Sequence, residues 1–478
     1  MVLNPRAAVD HAILFGFDGL RPDTITKTDC PNLYALLEQA IVFARHRSVF
    51  PTVTRVNLAS LVTGACPCDH GIVANTFFVR NSGRKTAFDT SRVEDLNLLA
   101  AMAQGHSVSK FHVQNMLAEF GEHLAVAATG SNGSFNLLSN FQNSLDLAYN
   151  PVVHGPVKPR NAGSAVRNMP SEATDHFISH IWPASQPVLS ILWFAETDTA
   201  GHCHGVGSPE HREALKQVDA ELGRLVSWRD SQPNAERIAI AVASDHGQVS
   251  IGCSVSLSDW LNSEGFRVAA CWENDRDLAL TPGMSPGLWF AKRDPGLLQA
   301  VVDAVNAQPW SGPLFSRFDE HDDIKGVFYF EDVGLDHPLT PDLMMTFRGN
   351  NRPNGFGMPG RSHSDPTGTT LTLDSGFHGG LHDTELSCLF ALEGKPFPAE
   401  HRADMASCTG NIIPTLYKAL HPNGKFSNHA LPIGSIDGPT EKSVVKEDVR
   451  SLQVGSRRYD LHLQICGRLV HADKIEFN

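Results

Sequence analysis

Residues 12–23 read AILFGFDGLRPD, an apolar run that ends at a carboxylate, Asp18. The same pattern recurs in the apolar runs 188–195 and 238–243, which lead to Asp198 and to Asp245 and His246. Uninterrupted apolar runs indicate strands that are buried on both faces, as in a mostly parallel sheet between helices. Because the carboxyl ends of parallel strands meet at one edge of a sheet, we expect these polar side chains to converge there.

Helical periodicity separates these strands. Residues 31–40 and 209–228 are predicted helices, and in the second the apolar residues Ala214, Val218, Leu222 and Leu225 recur at spacings of three and four. Strands that alternate with helices predict an α/β fold. The predicted class is a three-layer α/β/α sandwich with a mostly parallel central sheet.

Carboxylates and histidines at strand ends have the composition of a metal site. They lie in DTAGH at 198–202, SDHG at 244–247 and GFHGG at 376–380, and after the first strand. The candidate ligands are Asp18, Asp198, His202, Asp245, His246 and His378. Glycines beside His378 allow a close approach to an ion, which favours it over His382. Asp18 taken alone could instead cap a helix. Together these residues predict a composite metal centre.

A candidate nucleophile lies in FPTVTRVNLASLVTG, residues 50–64. Thr54 precedes a predicted helix at 56–62, and the backbone N–H groups of a helix start help to hold an anion. Thr52 and Thr63 are chemically equivalent alternatives. Asn57, one turn after Thr54, can donate its side-chain amide to a non-bridging phosphoryl oxygen. We therefore predict catalytic roles for Thr54 and Asn57.

Taken in order, these motifs resemble the nucleotide pyrophosphatase/phosphodiesterase branch of the alkaline phosphatase superfamily. The matching text is Asp18, FPTVTRVNLASLVTGACPCDHGI, DTAGH, SDHG and FHGG. The resemblance implies an alkaline phosphatase-like fold and hydrolysis of phosphodiester or nucleotide pyrophosphate bonds through a phosphothreonine. It also implies two zinc ions, although Asp and His ligands accept Mn²⁺ or Fe as well. One ion would be held by Asp198, His202 and His378, and the other by Asp18, Asp245, His246 and Thr54.

The chain departs from the family text directly after the nucleophile, where Arg55-Val56 replaces Phe-Pro. Arg55 is therefore a candidate for binding a substrate phosphate or carboxylate, and its alternative role is a surface salt bridge. His70 and Asn75 also match the family text, and we expect them to support the loop beneath the nucleophile.

Two other functions compete with this prediction. Phosphonoacetate hydrolases, which cleave a carbon–phosphorus bond, resemble the chain in their metal motifs and inserted cap. Their substrate-gripping lysines are missing from the corresponding stretch LAVAATGSNGSFNLL, residues 124–138. The remote alternative is a catalytically inactive metal-binding assembly module. The formylglycine motif of sulfatases, CxPxR, does not fit Cys66-Pro67-Cys68, to which we assign a structural role.

The length of 478 residues predicts one large catalytic domain with an insertion. We place the first part of the catalytic core at 1–248, an inserted cap at 249–370 and the second part of the core at 371–440. Residues 441–478 form a predicted C-terminal β-hairpin extension, which could lie at a sheet edge or act as the arm of a homodimer.

Charge and composition narrow the partners and the location. The net charge of −13 argues against binding to a nucleic-acid polymer, but a small phosphorylated substrate fits a metal centre. No stretch suggests a signal peptide or a membrane span, and no membrane partner is expected. The nine cysteines are odd in number and scattered, which is typical of reduced thiols. We therefore predict a cytoplasmic location.

Overall fold

The computed structural model describes residues 9–104, 116–140, 144–154, 168–272, 278–319, 323–394, 397, 401–422, 445–466 and 469–477. Within these ranges the largest sheet has eight strands. In spatial order they are His401–Cys408, Ile41–Arg47, Phe390–Glu393, Ile238–Ala243, His11–Phe17, Leu189–Phe194, Leu124–Ala128 and Ala148–Tyr149. Neighbouring strands are parallel except at Phe390–Glu393, which runs antiparallel to both of its neighbours.

The central sheet is buried on both faces, as its apolar strands predict. Along the strand His11–Phe17, Leu14 packs in one hydrophobic cluster, whereas Phe15 and Phe17 pack in another on the opposite face. Because successive side chains of a strand point to opposite faces, these two clusters are the two interfaces of a three-layer sandwich. The predicted fold class is confirmed.

Helices cover both faces of this sheet. The α-helices are Pro31–Leu37, Thr54–Thr63, Pro67–His70, Val93–Gln104, Asn132–Leu138, Pro151–His154, Met169–His176, Trp182–Ser185, Glu196–His204, Pro209–Asp230, Leu257–Ser263, Pro295–Asn306, Asp383–Leu386 and Ile412–Leu420. Phe177–Ile181 is a π-helix. Short 3₁₀-helices occupy Pro22–Thr24, Met116–Glu119, Gly121–His123, Ala235–Arg237, Phe330–Val333 and Thr409–Asn411. In the part of the chain that is described, no helix has both the length and the apolarity of a membrane span.

The long helix Pro209–Asp230 shows how local sequence sets the helix ends and the packing. The Ser208 side chain caps its start by accepting a hydrogen bond from the His211 N–H at 3.1 Å. From its buried face, the Asp219 carboxylate accepts hydrogen bonds from the N–H groups of Asn32 and Leu33, at 3.0 and 2.7 Å. One buried carboxylate therefore supplies the N-terminal cap of the helix Pro31–Leu37.

The chain after His378 differs from its expected structure. Residues 386–392 form an apolar run that suggests a strand, yet the strand is limited to Phe390–Glu393 and a helical turn, Asp383–Leu386, comes before it. His382 caps this turn: its Nδ1 accepts from Thr384 N at 3.2 Å, and its own N–H donates to Glu385 Oε2 at 3.1 Å. This reciprocal capping stabilises a helical turn where the apolar pattern alone indicates a strand.

Residues between the two parts of the core build two further sheets. A six-stranded sheet has the spatial order Val268–Ala269, Leu278–Thr281, Gly287–Phe290, Leu343–Phe347, Ser311–Ser316 and Phe328–Tyr329. A four-stranded sheet contains Gly349–Asn350, Arg361–Ser364, Val249–Ser254 and Gly376–Phe377, and a two-stranded ribbon joins Thr76–Phe77 to Phe88–Asp89. Because Gly376–Phe377 pairs with Val249–Ser254, this small sheet connects the predicted cap segment to the strand just before His378.

The C-terminal extension has three antiparallel strands rather than the two of a hairpin: Val445–Val454, Arg457–Cys466 and Leu469–Phe477. They form a sheet of their own and are not an edge of the central sheet. Tyr459, Leu461 and Leu463 are buried in a hydrophobic cluster that also contains Phe77 and Phe315. The extension is therefore packed on the body of the molecule. The additional strand is Val445–Val454, whose sequence VKEDVRSLQV lacks the regular alternation of apolar and polar residues that would identify it.

Two buried histidines lie where this extension meets the central sheet. His46 is in the strand Ile41–Arg47 and His471 is in Leu469–Phe477; they are 2% and 0% exposed. Burial lowers the pKa of His46 to about 3 and that of His471 to about 4, from 6.5. Neither ring nitrogen of His471 has a hydrogen-bond partner among the described residues. Protonation of either ring therefore disfavours the folded state.

We expect acid to destabilise the fold through these rings. Since the pKa of each histidine is lower in the folded state, its contribution is fully present above pH 6.5 and is lost as the pH falls from there towards 4 or 3. Each ring should cost about 2 kcal/mol of unfolding free energy between pH 6.5 and 5. Thermal unfolding at pH 7 and pH 5 tests this. His471→Leu should reduce the pH dependence, whereas replacing the exposed His123 by Leu should leave it unchanged.

Candidate active site

Three carboxylates lie at one edge of the central sheet, each following the carboxyl end of one of three adjacent strands. Asp18 follows His11–Phe17, Asp245 follows Ile238–Ala243, and Asp198 lies in the first turn of the helix Glu196–His204, which follows Leu189–Phe194. The first strand pairs in parallel with both of the others, so their carboxyl ends are neighbours. The convergence follows directly from the sheet order.

A first group of possible metal donors combines Asp198, His202 and His378, whose donor atoms all lie within 4.8 Å of one another. His202 Nε2 is 3.2 Å from Asp198 Oδ2, and His378 Nε2 is 3.6 Å from Asp198 Oδ1. The Asp and His of DTAGH face the same point because they are four residues apart on one helix.

A second group combines Asp18, Asp198 and His246, also within 4.8 Å. His246 Nε2 lies 3.5 Å from Asp18 Oδ1 and 3.3 Å from Asp245 Oδ2. Asp198 therefore faces both groups, whereas the family resemblance implies that it serves one ion. The structure brings all six candidate ligands into one centre.

Backbone carbonyls orient the three imidazoles. His202 Nδ1 lies 2.7 Å from Gly376 O, His378 Nδ1 lies 2.8 Å from Thr52 O, and His246 Nδ1 lies 3.0 Å from Gly247 O. A carbonyl only accepts, so Nδ1 carries the proton in each ring and the Nε2 lone pair faces the centre. This is the arrangement of metal-binding histidines, in which the second nitrogen donates to a fixed acceptor.

The buried carboxylates of this centre need nearby positive charge to be stable as anions. Asp18 Oδ1 and Asp245 Oδ2 are buried and have no hydrogen-bond partner among the described residues. Burial, reinforced by the charges of Asp245 and Asp198, raises the pKa of Asp18 well above its usual value. Burial likewise raises the pKa of Asp245 to about 8. Buried, crowded carboxylates are stable as anions only beside positive charge, so this set of oxygens and nitrogens fits divalent metal ions.

Two residues that the sequence motifs do not contain support these acids. Trp193 Nε1 donates a hydrogen bond to Asp18 Oδ2 at 3.2 Å. The Trp193 ring lies against Gly16 of the neighbouring strand, and any larger residue would clash, because a Cβ at position 16 would come within 1.9 Å of the ring. Gln248 Nε2 donates to Asp198 Oδ1 at 2.6 Å. A Cβ on Gly201 would lie 2.0 Å from Gln248 Oε1. The glycines at positions 16 and 201 make room for these two side chains.

Thr54 is placed at this centre and its alternatives are not. Thr54 is the first residue of the helix Thr54–Thr63, it is 5% exposed, and its Oγ1 lies 3.0 Å from His246 Nε2. The hydroxyl of Thr52 donates to Gly380 O at 2.9 Å, and that of Thr63 donates to Ala59 O at 2.6 Å. His382, the alternative to His378, is engaged as a helix cap.

The prediction that Asn57 contacts substrate is corrected by its surroundings. Asn57 is fully buried, and its amide nitrogen donates to the carbonyls of Val49, Pro51 and Val53, each at 3.2 Å. Its Oδ1 accepts from Val49 N at 2.8 Å and from the Thr409 hydroxyl at 2.9 Å. Asn57 therefore shapes the segment before the nucleophile, because its side chain points inward from the helix.

Asn75, rather than Asn57, lies where an amide could contact a substrate bound next to Thr54. It lines the same cavity as Thr54, and its Oδ1 accepts from the Arg55 N–H at 3.2 Å. Its amide nitrogen donates to no other described residue. We predicted a supporting role for Asn75, and its place on the cavity wall makes it a candidate for contact with substrate instead.

The cavity over Thr54 has a volume of about 350 Å³. Its lining includes Asp198, His202, Phe377 and His378, together with the segment Thr281 to Ser285 of the predicted cap. Arg55 also lines it. Burial lowers the pKa of Arg55, while the charges of Asp89, Asp18, Asp198 and Asp245 oppose this effect. A surface salt bridge, the alternative for Arg55, is not formed with any described residue.

Comparison with known proteins identifies the family of the chain. The family model for type I phosphodiesterase / nucleotide pyrophosphatase matches residues 12–355, well over half of the sequence. The chain belongs to this family. The resemblance predicted from the motifs is therefore confirmed.

Relatives within the type I phosphodiesterase / nucleotide pyrophosphatase family are distant. The mouse (Mus musculus) bis(5'-adenosyl)-triphosphatase enpp4 is 25% identical over 266 residues, which cover 55% of this chain and 53% of that protein. The rat (Rattus norvegicus) ectonucleotide pyrophosphatase/phosphodiesterase family member 3 is 27% identical over 254 residues, covering 50% and 25%. The chain spans about half the length of the first curated relatives it matches.

A solved member of the family shares the fold. Murine ectonucleotide pyrophosphatase / phosphodiesterase 5 superposes with a TM-score of 0.55 at 19% identity, over 88% of this chain and 96% of that one. The likeness supports the alkaline phosphatase-like architecture of the three-layer sandwich.

The contrast between the two asparagines can be tested within this family member. We expect Asn57→Ala to lower the unfolding free energy by about 2–4 kcal/mol, because buried backbone groups lose their partners. Asn75→Ala should change stability far less but lower kcat by about 10²-fold. Chemical denaturation and steady-state kinetics of both variants measure the two effects. Equal loss of stability in both variants would contradict the assignment.

Proposed function

We propose that this chain is a metal-dependent phosphohydrolase that cleaves phosphodiester or nucleotide pyrophosphate bonds through a covalent intermediate at Thr54. The observation that carries the proposal is the 3.0 Å separation of Thr54 Oγ1 from His246 Nε2, inside a centre of buried carboxylates and imidazoles. A hydroxyl at the start of a helix, beside a cation site and open to a cavity, is suited to nucleophilic attack.

The residues that would hold the metals follow from the two donor groups. Asp198, His202 and His378 form one set, and Asp18, Asp245, His246 and Thr54 form the other, with Asp198 facing both. We propose two Zn²⁺ ions, with Mn²⁺ or Fe as alternatives. Bound there, the cations would lower the pKa of the Thr54 hydroxyl and neutralise charge on the phosphoryl oxygens.

The reaction is an in-line displacement at phosphorus in two steps. Thr54 Oγ1 loses its proton to water and attacks, an O–P bond forms, and the bond to the oxygen opposite breaks, so that the leaving group departs with the electron pair. The product is a phosphothreonine that keeps the second ester substituent. Water then attacks the same phosphorus, the bond to Thr54 breaks, and the threonine hydroxyl is restored.

Asn75 is the residue we assign to stabilising the charge on phosphorus. Its Oδ1 is fixed by the Arg55 N–H, which leaves its amide nitrogen to donate to a non-bridging phosphoryl oxygen. A donor that is fixed before the reaction costs no reorganisation in the transition state, so it accelerates the chemical step rather than binding alone.

The test is metal analysis coupled to turnover. The purified protein should contain about two equivalents of zinc and hydrolyse bis(p-nitrophenyl) phosphate and bis(5'-adenosyl) triphosphate better than the monoester p-nitrophenyl phosphate. The second substrate follows the printed name of the mouse relative. Preferred turnover of phosphonoacetate would replace the proposed substrate class, and the absence of turnover, with or without bound metal, would favour the inactive-module alternative.

Location and partners are part of the same proposal. We propose a small phosphorylated substrate, no nucleic-acid polymer or membrane partner, and a cytoplasmic protein, which fits the free thiols of the described cysteines. Cell fractionation tests the location directly, since the names of several relatives begin with "ecto". A homodimer stays a proposal, to be measured by light scattering.

A further inference from the structure

Arg55 is a partly buried cation that the proposed phosphoryl-transfer chemistry does not use. It follows the nucleophile directly and lines the cavity over Thr54. Its Nε is buried without a hydrogen-bond partner, and its guanidinium forms no ion pair with any residue in the described ranges. A partly buried guanidinium without a protein partner leaves its N–H donors available to a ligand in the cavity.

The acids around Arg55 are engaged elsewhere. Asp18, Asp198 and Asp245 face the histidines of the metal centre. The carboxylate of Asp89, which also acts on the Arg55 charge, accepts the Ser91 N–H through Oδ1 at 2.9 Å. The guanidinium therefore keeps planar, forked donors for an anion that comes from outside the protein.

The position of Arg55 identifies which part of a substrate it would meet. In an in-line displacement the leaving oxygen lies opposite Thr54 Oγ1, whereas the substituent that stays on phosphorus lies nearer the nucleophile. Because Arg55 lines the same cavity as Thr54, its guanidinium can reach the retained substituent. The cavity holds about 350 Å³, and apart from the imidazoles of His202 and His378 the one aromatic ring among its described lining residues is that of Phe377.

We infer that Arg55 selects substrates whose retained substituent carries a second anionic group, a carboxylate or a phosphate, close to the phosphorus under attack. This inference rests on the proposed function and specifies its substrate class. A planar guanidinium matches both anions in a bidentate manner. One aromatic ring provides less stacking surface for a nucleobase than a pair would, so a compact anion fits this wall better than a base does.

Three diesters with the same reacting phosphorus and leaving group test the inference. They are the p-nitrophenyl phosphates esterified with 2-carboxyethyl, 2-phosphoethyl and 2-carbamoylethyl groups; the last is the neutral analogue of the first. For the wild type, kcat/KM should be about 10- to 100-fold higher for an anionic diester than for the carbamoyl diester, as expected for a charge-assisted hydrogen bond. Comparison of the carboxyl and phosphoryl diesters shows which anion is preferred.

Substitutions at Arg55 complete the test, with folding checked by thermal unfolding. Arg55→Gln should bring the ratio of anionic to neutral turnover close to one, and Arg55→Lys should retain part of it. A wild-type ratio of one, or a ratio that Arg55→Gln leaves unchanged, overturns the inference but not the proposed function. Failure of the wild type to hydrolyse any of the diesters overturns the proposed function itself. If Arg55→Gln does not fold, the wild-type ratio and that of Arg55→Lys decide.

Discussion

Replacement of Thr54 by alanine should abolish turnover while the protein stays folded and keeps its metal. The hydroxyl of Thr54 is the only group we place to attack phosphorus, and loss of a nucleophile typically costs at least about 10³-fold in kcat. The metal should stay because Asp198, His202 and His378 form a donor group without Thr54, and the second group keeps Asp18, Asp245 and His246 when the hydroxyl is removed. Steady-state hydrolysis of bis(p-nitrophenyl) phosphate and elemental analysis of the same sample measure both quantities.

Two matched variants separate attack by Thr54 from a structural role. Thr54→Ser keeps the hydroxyl and should retain most of the activity. Thr52→Ser keeps the hydroxyl whose partners are Gly379 N and Gly380 O, and should be close to wild type. Rapid-quench digestion should find the phosphoryl group on the peptide that carries Thr54. Full activity in Thr54→Ala would contradict the covalent mechanism, and an inactive wild type that keeps metal would support the assembly module.

The fold could be predicted from the sequence because three apolar runs are continuous and are bounded by polar residues. The runs 12–17, 188–195 and 238–243 correspond to the strands His11–Phe17, Leu189–Phe194 and Ile238–Ala243. Burial on both faces removes the alternation of an exposed strand, and a parallel sheet is the usual reason. The order of strands then brings the acids together, so the candidate ligands could be found before any contact was known.

The features of the site that the sequence did not predict depend on contacts between residues that are distant in the chain. The inward orientation of Asn57 depends on the carbonyls of Val49, Pro51 and Val53, and a spacing rule does not report which way a side chain points. Asn75 matched a family motif, yet its place on the cavity wall depends on the turn before Thr76–Phe77. Trp193 and Gln248 have no motif, because each acts only through hydrogen bonds to one distant residue, Asp18 and Asp198 respectively.

The strand errors have a related origin. The run 386–392 is apolar enough for a strand, but reciprocal capping by His382 and Glu385 uses its first residue in a helical turn. The strand Val445–Val454 has mostly exposed side chains and is held by pairing with Arg457–Cys466. Hydrophobic periodicity cannot detect a strand whose stability comes mainly from its neighbour.

Two histidines four residues apart allow the metal centre to be tested with a built-in control. His378→Ala removes one of three donors from the group with Asp198 and His202, so we expect loss of about one metal equivalent and a fall in kcat of at least about 10²-fold. His382→Ala removes a helix cap instead and should keep both metal and turnover, at a cost of about 1 kcal/mol in stability. Elemental analysis after dialysis against a weak chelator, with thermal unfolding of each variant, measures the contrast.

Because Asp198 faces both donor groups, Asp198→Asn should deplete more metal than His378→Ala does. If His378→Ala retains the wild-type metal content, or if His382→Ala loses as much, then the donor assignment is wrong even if the hydrolase proposal survives.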